Sequence, residues 1–223
     1  MGRVTTDTQT VDTPAGEARI TWHRARRPRL VLALGHGAGG GIEARDLAAL
    51  AGALPALGVT VALVEQPWRV AGRKVAPAPK TLDTGWRALW PALAGSGPPV
   101  VAGGRSAGAR VACRTARELG ARAVLALSFP LHPPGRPEKS RSAELLTAGV
   151  PALVVQGGND PFGKPAEFPA PDAASGDVPY ELVEVPYGDH GFAVPKRAPS
   201  TGDEALELIT RSVAAWLGGL REC

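Results

Sequence analysis

Residues 100–112 read VVAGGRSAGARVA. Two valines and an alanine run into a glycine pair, a lone serine follows, and from Gly108 onward the composition becomes helical. Gly104 and Gly108 flank Ser106 two positions to either side, where an apolar strand must turn directly into a helix. The pattern Gly-x-Ser-x-Gly at such a junction describes a turn too tight for a Cβ at either glycine, with the serine hydroxyl held above the sheet. With 28 glycines and eight serines in 223 residues, chance supplies the pattern in about one such chain in eight. Context therefore decides its meaning, and here a strand precedes it and a helix follows. That helix would also aim free N–H groups at negative charge developing near the serine.

Working outward, short and nearly continuous apolar runs recur at 29–35, 59–65, 99–103, 122–128 and 151–156, with more mixed runs at 17–23 and 180–185. Runs of the first kind predict strands covered on both faces. Helical periodicity fills most of the gaps, at 44–57, 81–94, 106–119 and 201–217. The last of these opens with Thr201 and Glu204 at capping-box spacing. Strands alternating with helices predict an α/β fold, a mostly parallel twisted sheet with helices on both faces in three layers. No repeat or linker divides the chain, so residues 15–223 are expected to form a single domain. A polar, threonine-rich segment, 1–14, precedes it and is expected to be poorly ordered.

Composition narrows the function classes. A net charge of +4 and a pI near 9.4 are modest, and no aromatic residues interleave the basic ones. The densest basic run, HRARRPR at 23–29, reads as a solvated strand edge and turn, so no nucleic-acid partner is expected. Cys113 and Cys223 are the only cysteines, one within a predicted helix and one at the last residue, which argues against a disulfide framework. No stretch approaches the roughly 20 apolar residues of a membrane span, and the first residues lack an apolar signal core. The expectation is a cytoplasmic protein with no membrane partner.

A serine hydroxyl becomes a useful nucleophile only when a base removes its proton, and the base needs an orienting carboxylate. Four histidines are available. His23 lies in an exposed-looking strand, His36 opens the loop HGAGGG and is expected to shape it, and His132 sits in the loop FPLHPPGRPEKSR at 129–141. His190, in GDHGF after the last predicted strand, stands where a C-terminal base belongs. Among carboxylates, Asp160 in GGNDPFG follows directly on an apolar strand, at the carboxyl edge of the sheet. Asp189 adjoins His190, but consecutive side chains diverge. The order Ser106, Asp160, His190 is that of α/β-hydrolases and of no other serine-hydrolase fold.

A tetrahedral oxyanion needs two donors. Ala107, the residue after the serine, supplies one N–H by position, and the glycine-rich loop at 36–41 offers the other from Ala38, with Gly37 as the alternative. A phosphate-cradling loop is the competing explanation, but the downstream Lys-Ser/Thr of a P-loop is missing.

With these motifs in this order, the chain resembles the α/β-hydrolase superfamily over residues 17–218. EQPWRVAGRK, FPLHPPGRPEKSR and VQGGNDPFG narrow the likeness to a small cap-less group related to dienelactone hydrolases. That group is also similar to the testis-expressed protein thirty and to the third subunit of the non-specific lethal chromatin complex. The resemblance implies Ser106 as nucleophile, Asp160 as acid and His190 as base, with no metal and no cofactor. Ala107 is smaller than its counterpart in many relatives, implying a different acyl pocket. Without a lid insertion the site should be open, overhung by loop 129–141, with Trp68, His132, Phe162 and Gly37 as candidate substrate contacts. Arg105 and Arg110 flank the elbow and are expected to be solvated. The expected activity is hydrolysis of a small-molecule ester or thioester by a monomer or homodimer. The alternatives are a hydrolase-fold interaction module and an acyltransferase using the same residues.

Overall fold

A computed structural model describes residues 5–95, 97–170 and 179–220. The apolar runs become the strands of one eight-stranded sheet in the order β1-β2-β4-β3-β5-β6-β7-β8. These are β1 (Thr5–Thr13), β2 (Gly16–Arg24), β3 (Leu30–Gly35), β4 (Val59–Glu65), β5 (Val100–Arg105), β6 (Ala123–Leu127), β7 (Ala152–Gly157) and β8 (Tyr180–Val185). From β4 to β8 all neighbours are parallel, while β1 and β2 are added antiparallel at one edge.

Both faces of the parallel strands are buried, and the pleat sorts their side chains between two cores. Leu32, Leu34, Val61, Leu63 and Val101 face one side with α1 (Arg45–Ala53) and α6 (Gly202–Gly219), packing against Leu47, Leu50, Ile209 and Val213. Their neighbours Val31, Ala33, Ala62, Val64 and Ala102 face the other side. There Trp86 and Leu89 of α3 (Pro79–Ala94) and Val111 and Ala112 of α4 (Ala107–Leu119) cover them. This is the three-layer α/β architecture that the alternation predicts.

Within the segment 1–14, the described residues depart from the expected disorder. Thr5–Thr13 form β1, paired residue for residue with β2 down to Thr13 opposite Gly16. Alternate β-branched threonines suit an exposed edge strand although they bury almost nothing. The Trp22 indole donates to Gln9 Oε1 (3.1 Å) and Arg24 forks onto Asp7 (2.7 and 2.8 Å), which fixes the register. Helix 44–57 is also shortened. Pro55 has no N–H to continue the helical ladder, so α1 stops at Ala53 and a tighter 3-10 turn runs Leu54–Leu57.

Thr201 and Glu204 do form the reciprocal cap of α6, Glu204 N–H donating to Thr201 Oγ1 and Thr201 N–H to Glu204 Oε2. Two short helices were not foreseen: α2 (Pro67–Val70) stands within the stretch EQPWRVAGRK, and α5 (Ser142–Leu146) follows directly on the loop 129–141. Cys113 is buried and free, and burial pushes its thiol up to about 12. Cys223 and the 171–177 part of the loop after β7 lie outside the described residues.

Candidate active site

β5 ends at Arg105 and α4 begins at Ala107, leaving Ser106 alone to make the turn at φ 53° and ψ −110°. A side chain seldom adopts such a backbone, and it persists where its surroundings impose it. Here the constraint is the closeness of strand and helix. A Cβ on Gly104 would lie 2.6 Å from the Gly35 carbonyl oxygen and 2.7 Å from the Gly108 carbonyl carbon, and one on Gly108 would lie 2.6 Å from the Gly35 carbonyl carbon. The two glycines thus let β3, β5 and α4 meet directly beneath the serine.

Asp160 and His190 arrive from the turns after the next strands. Asp160, 1% exposed, follows β7 and accepts from the Phe162 N–H on Oδ1 (2.8 Å) and from Gln156 Nε2 on Oδ2 (2.9 Å). His190 Nδ1 lies 2.8 Å from the same Oδ2, and its Nε2 lies 2.9 Å from Ser106 Oγ. Since both Asp160 oxygens are taken up as acceptors, Nδ1 carries the ring proton and Nε2 receives the serine hydroxyl. Backbone lacing brings the two turns together: Gly158 N–H donates to Val185 O and Asn159 N–H to Gly188 O, each at 2.9 Å. Gly157 permits this, because a Cβ there would sit 2.6 Å from the Asp189 carbonyl oxygen. Asp189 instead folds its own turn, accepting from Gly191 and Ala193 N–H groups.

Around this relay the other sequence candidates separate. The Phe162 ring lies 4.2 Å from that of His190, covering it. His36 is buried, donating from Nδ1 to Gly37 O (2.9 Å) and accepting the Gln66 N–H on Nε2 (3.2 Å), which fixes the glycine-rich loop. Burial holds its pKa below the ordinary value, so it stays neutral. Gly37 abuts Ser106, with its missing Cβ only 3.4 Å from Ser106 Cβ, while Ala38 is exposed beyond it. Trp68 packs its ring at 5.4 Å from His36. His132 turns away from the relay, its two ring nitrogens facing Pro133 O (2.9 Å) and Glu167 Oε2 (3.0 Å).

Neither flanking arginine is solvated as expected. Arg105, with its side chain 17% exposed, donates from Nη2 to the His190 carbonyl (2.7 Å) and sits 3.3 Å from buried Asp46 of α1. Burial raises the Asp46 pKa, and the Arg105 charge opposes that rise. Arg110 forks onto Glu144 of α5 (2.8 and 2.5 Å), which Arg114 also reaches while holding Asp83. Gln156 was the signal missed in the sequence: a single amide closing the apolar run PALVVQ, four residues before Asp160.

The model of the alpha/beta hydrolase domain family matches residues 27–218. The chain belongs to the α/β-hydrolase family. Among solved structures, a serine hydrolase without a lid from Xanthomonas campestris is similar at a TM-score of 0.70 and 18% identity, over 97% of each chain. Dienelactone hydrolase from Anabaena variabilis is similar at 0.71 and 18% identity, over 97% of this chain and 98% of its own. Est1E from Butyrivibrio proteoclasticus is similar at 0.66 and 17% identity, over 96% and 98%. No curated protein matches the sequence.

In this hydrolase domain the described residues between β6 and β7 carry only the turn Pro137–Lys139 and the five-residue α5, so no cap covers the serine. No helix among the described residues is long and apolar enough to cross a membrane, and no cluster of His, Cys, Asp or Glu there could hold a metal ion. A cavity of about 10 Å³ lies between the glycine-rich loop and the start of α4, bounded by His36, Gly37, Gln66, Trp68, Ala107 and Val111.

Proposed function

We propose that this protein is a metal-independent serine hydrolase that cleaves an ester or thioester through an acyl-enzyme. The observation that carries the reading is the unbroken relay from Ser106 Oγ through His190 to Asp160, at 2.9 and 2.8 Å. Ser106 Oγ bonds to the acyl carbon while its proton passes to His190 Nε2, and the carbonyl oxygen becomes an oxyanion. The Ala107 N–H, at the first position of α4 where no intrahelical acceptor exists, receives that charge together with the Ala38 N–H. The bond to the leaving group then breaks, and the leaving oxygen or sulfur takes the proton from Nε2. Water, deprotonated by the same nitrogen, repeats the attack and frees the acid and the serine.

Asp160 keeps the imidazole in the required tautomer, and Gln156 and the Phe162 N–H hold Asp160. Arg105 braces the histidine turn by its backbone. Phe162 and Trp68 are the candidate substrate contacts beside the serine, whereas His132 serves the loop over it. Family membership and the esterase and dienelactone hydrolase names among the structural neighbours support this reading.

The test is intact-mass spectrometry after treatment with a fluorophosphonate probe, followed by peptide mapping. One adduct on Ser106, lost in Ser106→Ala and His190→Ala, is expected. A folded protein that takes no adduct would turn the reading toward the interaction module. Product analysis with competing alcohol or amine acceptors separates hydrolysis from acyl transfer.

A further inference from the structure

The serine turn and the histidine turn are tied together twice. One link is the contact of Ser106 Oγ with His190 Nε2 at 2.9 Å. The other runs through Arg105, the last residue of β5, whose Nη2 donates to the His190 carbonyl at 2.7 Å. The histidine turn is stiff within itself, because Asp189 Oδ1 accepts the N–H groups of Gly191 and Ala193 at 2.7 and 2.9 Å. Toward the turn of Asp160 it is placed by its backbone, Gly188 O accepting from Asn159 N–H. Toward the strand of the serine, Arg105 supplies the hydrogen bond to its main chain among the described residues. The guanidinium lies between two glycines: a Cβ on Gly191 would be 3.4 Å from Nη2, and one on Gly37 would be 3.8 Å from Nη1.

We infer that Arg105 is a positioning residue that sets the distance between Ser106 and His190, with buried Asp46 as its counter-charge. The inference rests on the serine-hydrolase reading. Arg105 follows the strand that ends at the serine and grips the residue that carries the imidazole, so both ends of the Ser106–His190 contact are fixed to one side chain's length. A displacement of about 1 Å at such a contact costs about 10²-fold in rate. Arg105 Nε lies 3.3 Å from Asp46 Oδ2, with the two side chains 17% and 2% exposed. Neither of these atoms has a hydrogen-bond partner, so the pair is held by charge and not as a fork, and Nη2 is left to the His190 carbonyl. Asp46 stands in the first turn of α1, the helix that follows the glycine-rich loop. A carboxylate so deeply buried requires a charge beside it, and Arg105 supplies that charge.

The experiment compares Arg105→Lys, Arg105→Met and the double variant Arg105→Met/Asp46→Asn with wild type. Three quantities are read: the fluorophosphonate labelling rate of Ser106, kcat and KM on p-nitrophenyl acetate, and the melting temperature. A lysine ammonium reaches only to about the place of the Arg105 Cζ, beside Asp46 but short of the His190 carbonyl. Arg105→Lys should therefore melt within about 2 °C of wild type. It should lose about tenfold or more in kcat and in labelling rate, with KM unchanged. Arg105→Met strands the Asp46 charge and should lose about 10- to 100-fold in the same two rates, together with melting temperature. Adding Asp46→Asn should return the melting temperature while both rates stay low, because the carbonyl still has no donor. Should Arg105→Met fail to fold, Arg105→Lys and the double variant carry the test. Wild-type rates in Arg105→Lys overturn the inference. So does a double variant whose rates return with its melting temperature, which would make Arg105 a matter of stability alone. A raised KM with kcat and labelling intact overturns it as well, since Arg105 would then touch the substrate. A wild type that is labelled without cleaving the acetate leaves the labelling rates to decide. A folded wild type that is neither labelled nor active removes the hydrolase reading, and this inference with it.

Discussion

The turns after β5 and β6 differ in chemistry although their backbones are alike. Ser106 and Ser128 each follow the last residue of a strand, the two strands are neighbours, and both serines sit at positive φ, 53° and 45°. Ser106 is half-buried and its hydroxyl meets His190. Ser128 is completely buried, its hydroxyl has no partner, and its N–H donates to Val155 O to continue the sheet. Ser106 has glycines two positions to either side, whereas Ser128 has Ala126 and Pro130 there. Backbone strain at a strand end is therefore only one requirement of the nucleophile role proposed for Ser106. The others are a helix brought close enough to present its N-terminus, an opening to solvent and a base within reach.

Exchanging the two hydroxyls for hydrogen breaks the comparison most sharply. Ser106→Ala should reduce ester turnover by about 10³- to 10⁶-fold, as expected when one member of a cooperating set is removed. Ser128→Ala should leave kcat and KM unchanged. It removes a buried polar atom with no partner, so the melting temperature should hold or rise by about 2–4 °C. Steady-state kinetics and calorimetry on the pair check both outcomes. A loss of turnover in Ser128→Ala would show that the second turn takes part after all.

The next largest effect comes from filling the space beneath Ser106. In Gly104→Ala the new methyl would press on the backbone of Gly35 and Gly108, which cannot swing aside as a side chain can. A loss of about 3 kcal/mol in denaturant unfolding is expected, with the serine displaced from His190. Gly39→Ala, where no atom lies within 4 Å, should cost almost nothing by the same measurement.

Gln156, the next-to-last residue of β7, follows Val155, whose carbonyl accepts the Ser128 N–H, and its side chain holds the turn of Asp160. Its Nε2 donates to Asp160 Oδ2 (2.9 Å) and to Gly163 O (2.8 Å) from a fully buried position. Gln156→Leu leaves Asp160 with fewer donors and should lower kcat by about 10- to 100-fold, the worth of a hydrogen bond to a charged group. KM should be unchanged. An equal rise in KM with kcat intact would mean that Gln156 shapes the binding surface and does not orient Asp160.

The strands from β3 to β7 were legible because strands covered on both faces must be apolar throughout, and helices between them leave a different period. β1 was not, since an edge strand with water on its outer face needs no apolar pattern, and its threonines resemble a polar tail. Within the candidate site, Ser106, Asp160 and His190, which the fold brings into hydrogen-bond contact, could be named as candidates because each sits at a sharp turn next to an apolar strand. The supporting side chains could not. Arg105 and Arg110 look alike in sequence, and only the folded chain gives one the His190 carbonyl and buried Asp46, and the other Glu144. A long side chain's partner is set by elements far along the chain, 85 residues away for Arg105 and His190 and 188 for Arg29 and the Leu217 carbonyl.

The smallest effect concerns the loop that continues from Ser128. His132 in that loop meets Glu167 at 3.0 Å, and the pKa values of the two shift in opposite directions. The Pro133 carbonyl, outweighing burial, and then Glu167 raise the His132 pKa above its ordinary 6.5. The Lys164 N–H and then His132 lower that of Glu167 below 4.5. A raised histidine contributes stability that is complete below its unfolded value and is lost as pH rises through the folded one. A lowered carboxylate contributes stability that is complete above its unfolded value and is lost as pH falls through the folded one. The tether is therefore fullest between pH 4.5 and 6.5. With the Glu167 side chain 40% exposed, screening limits it to about 0.2–1 kcal/mol. His132→Gln should melt below wild type by about 1–3 °C near pH 5.5, and the gap should close by about pH 9. A gap that persists unchanged into alkali would make the contact one of packing, and the loop after the silent serine would then be held by shape without charge.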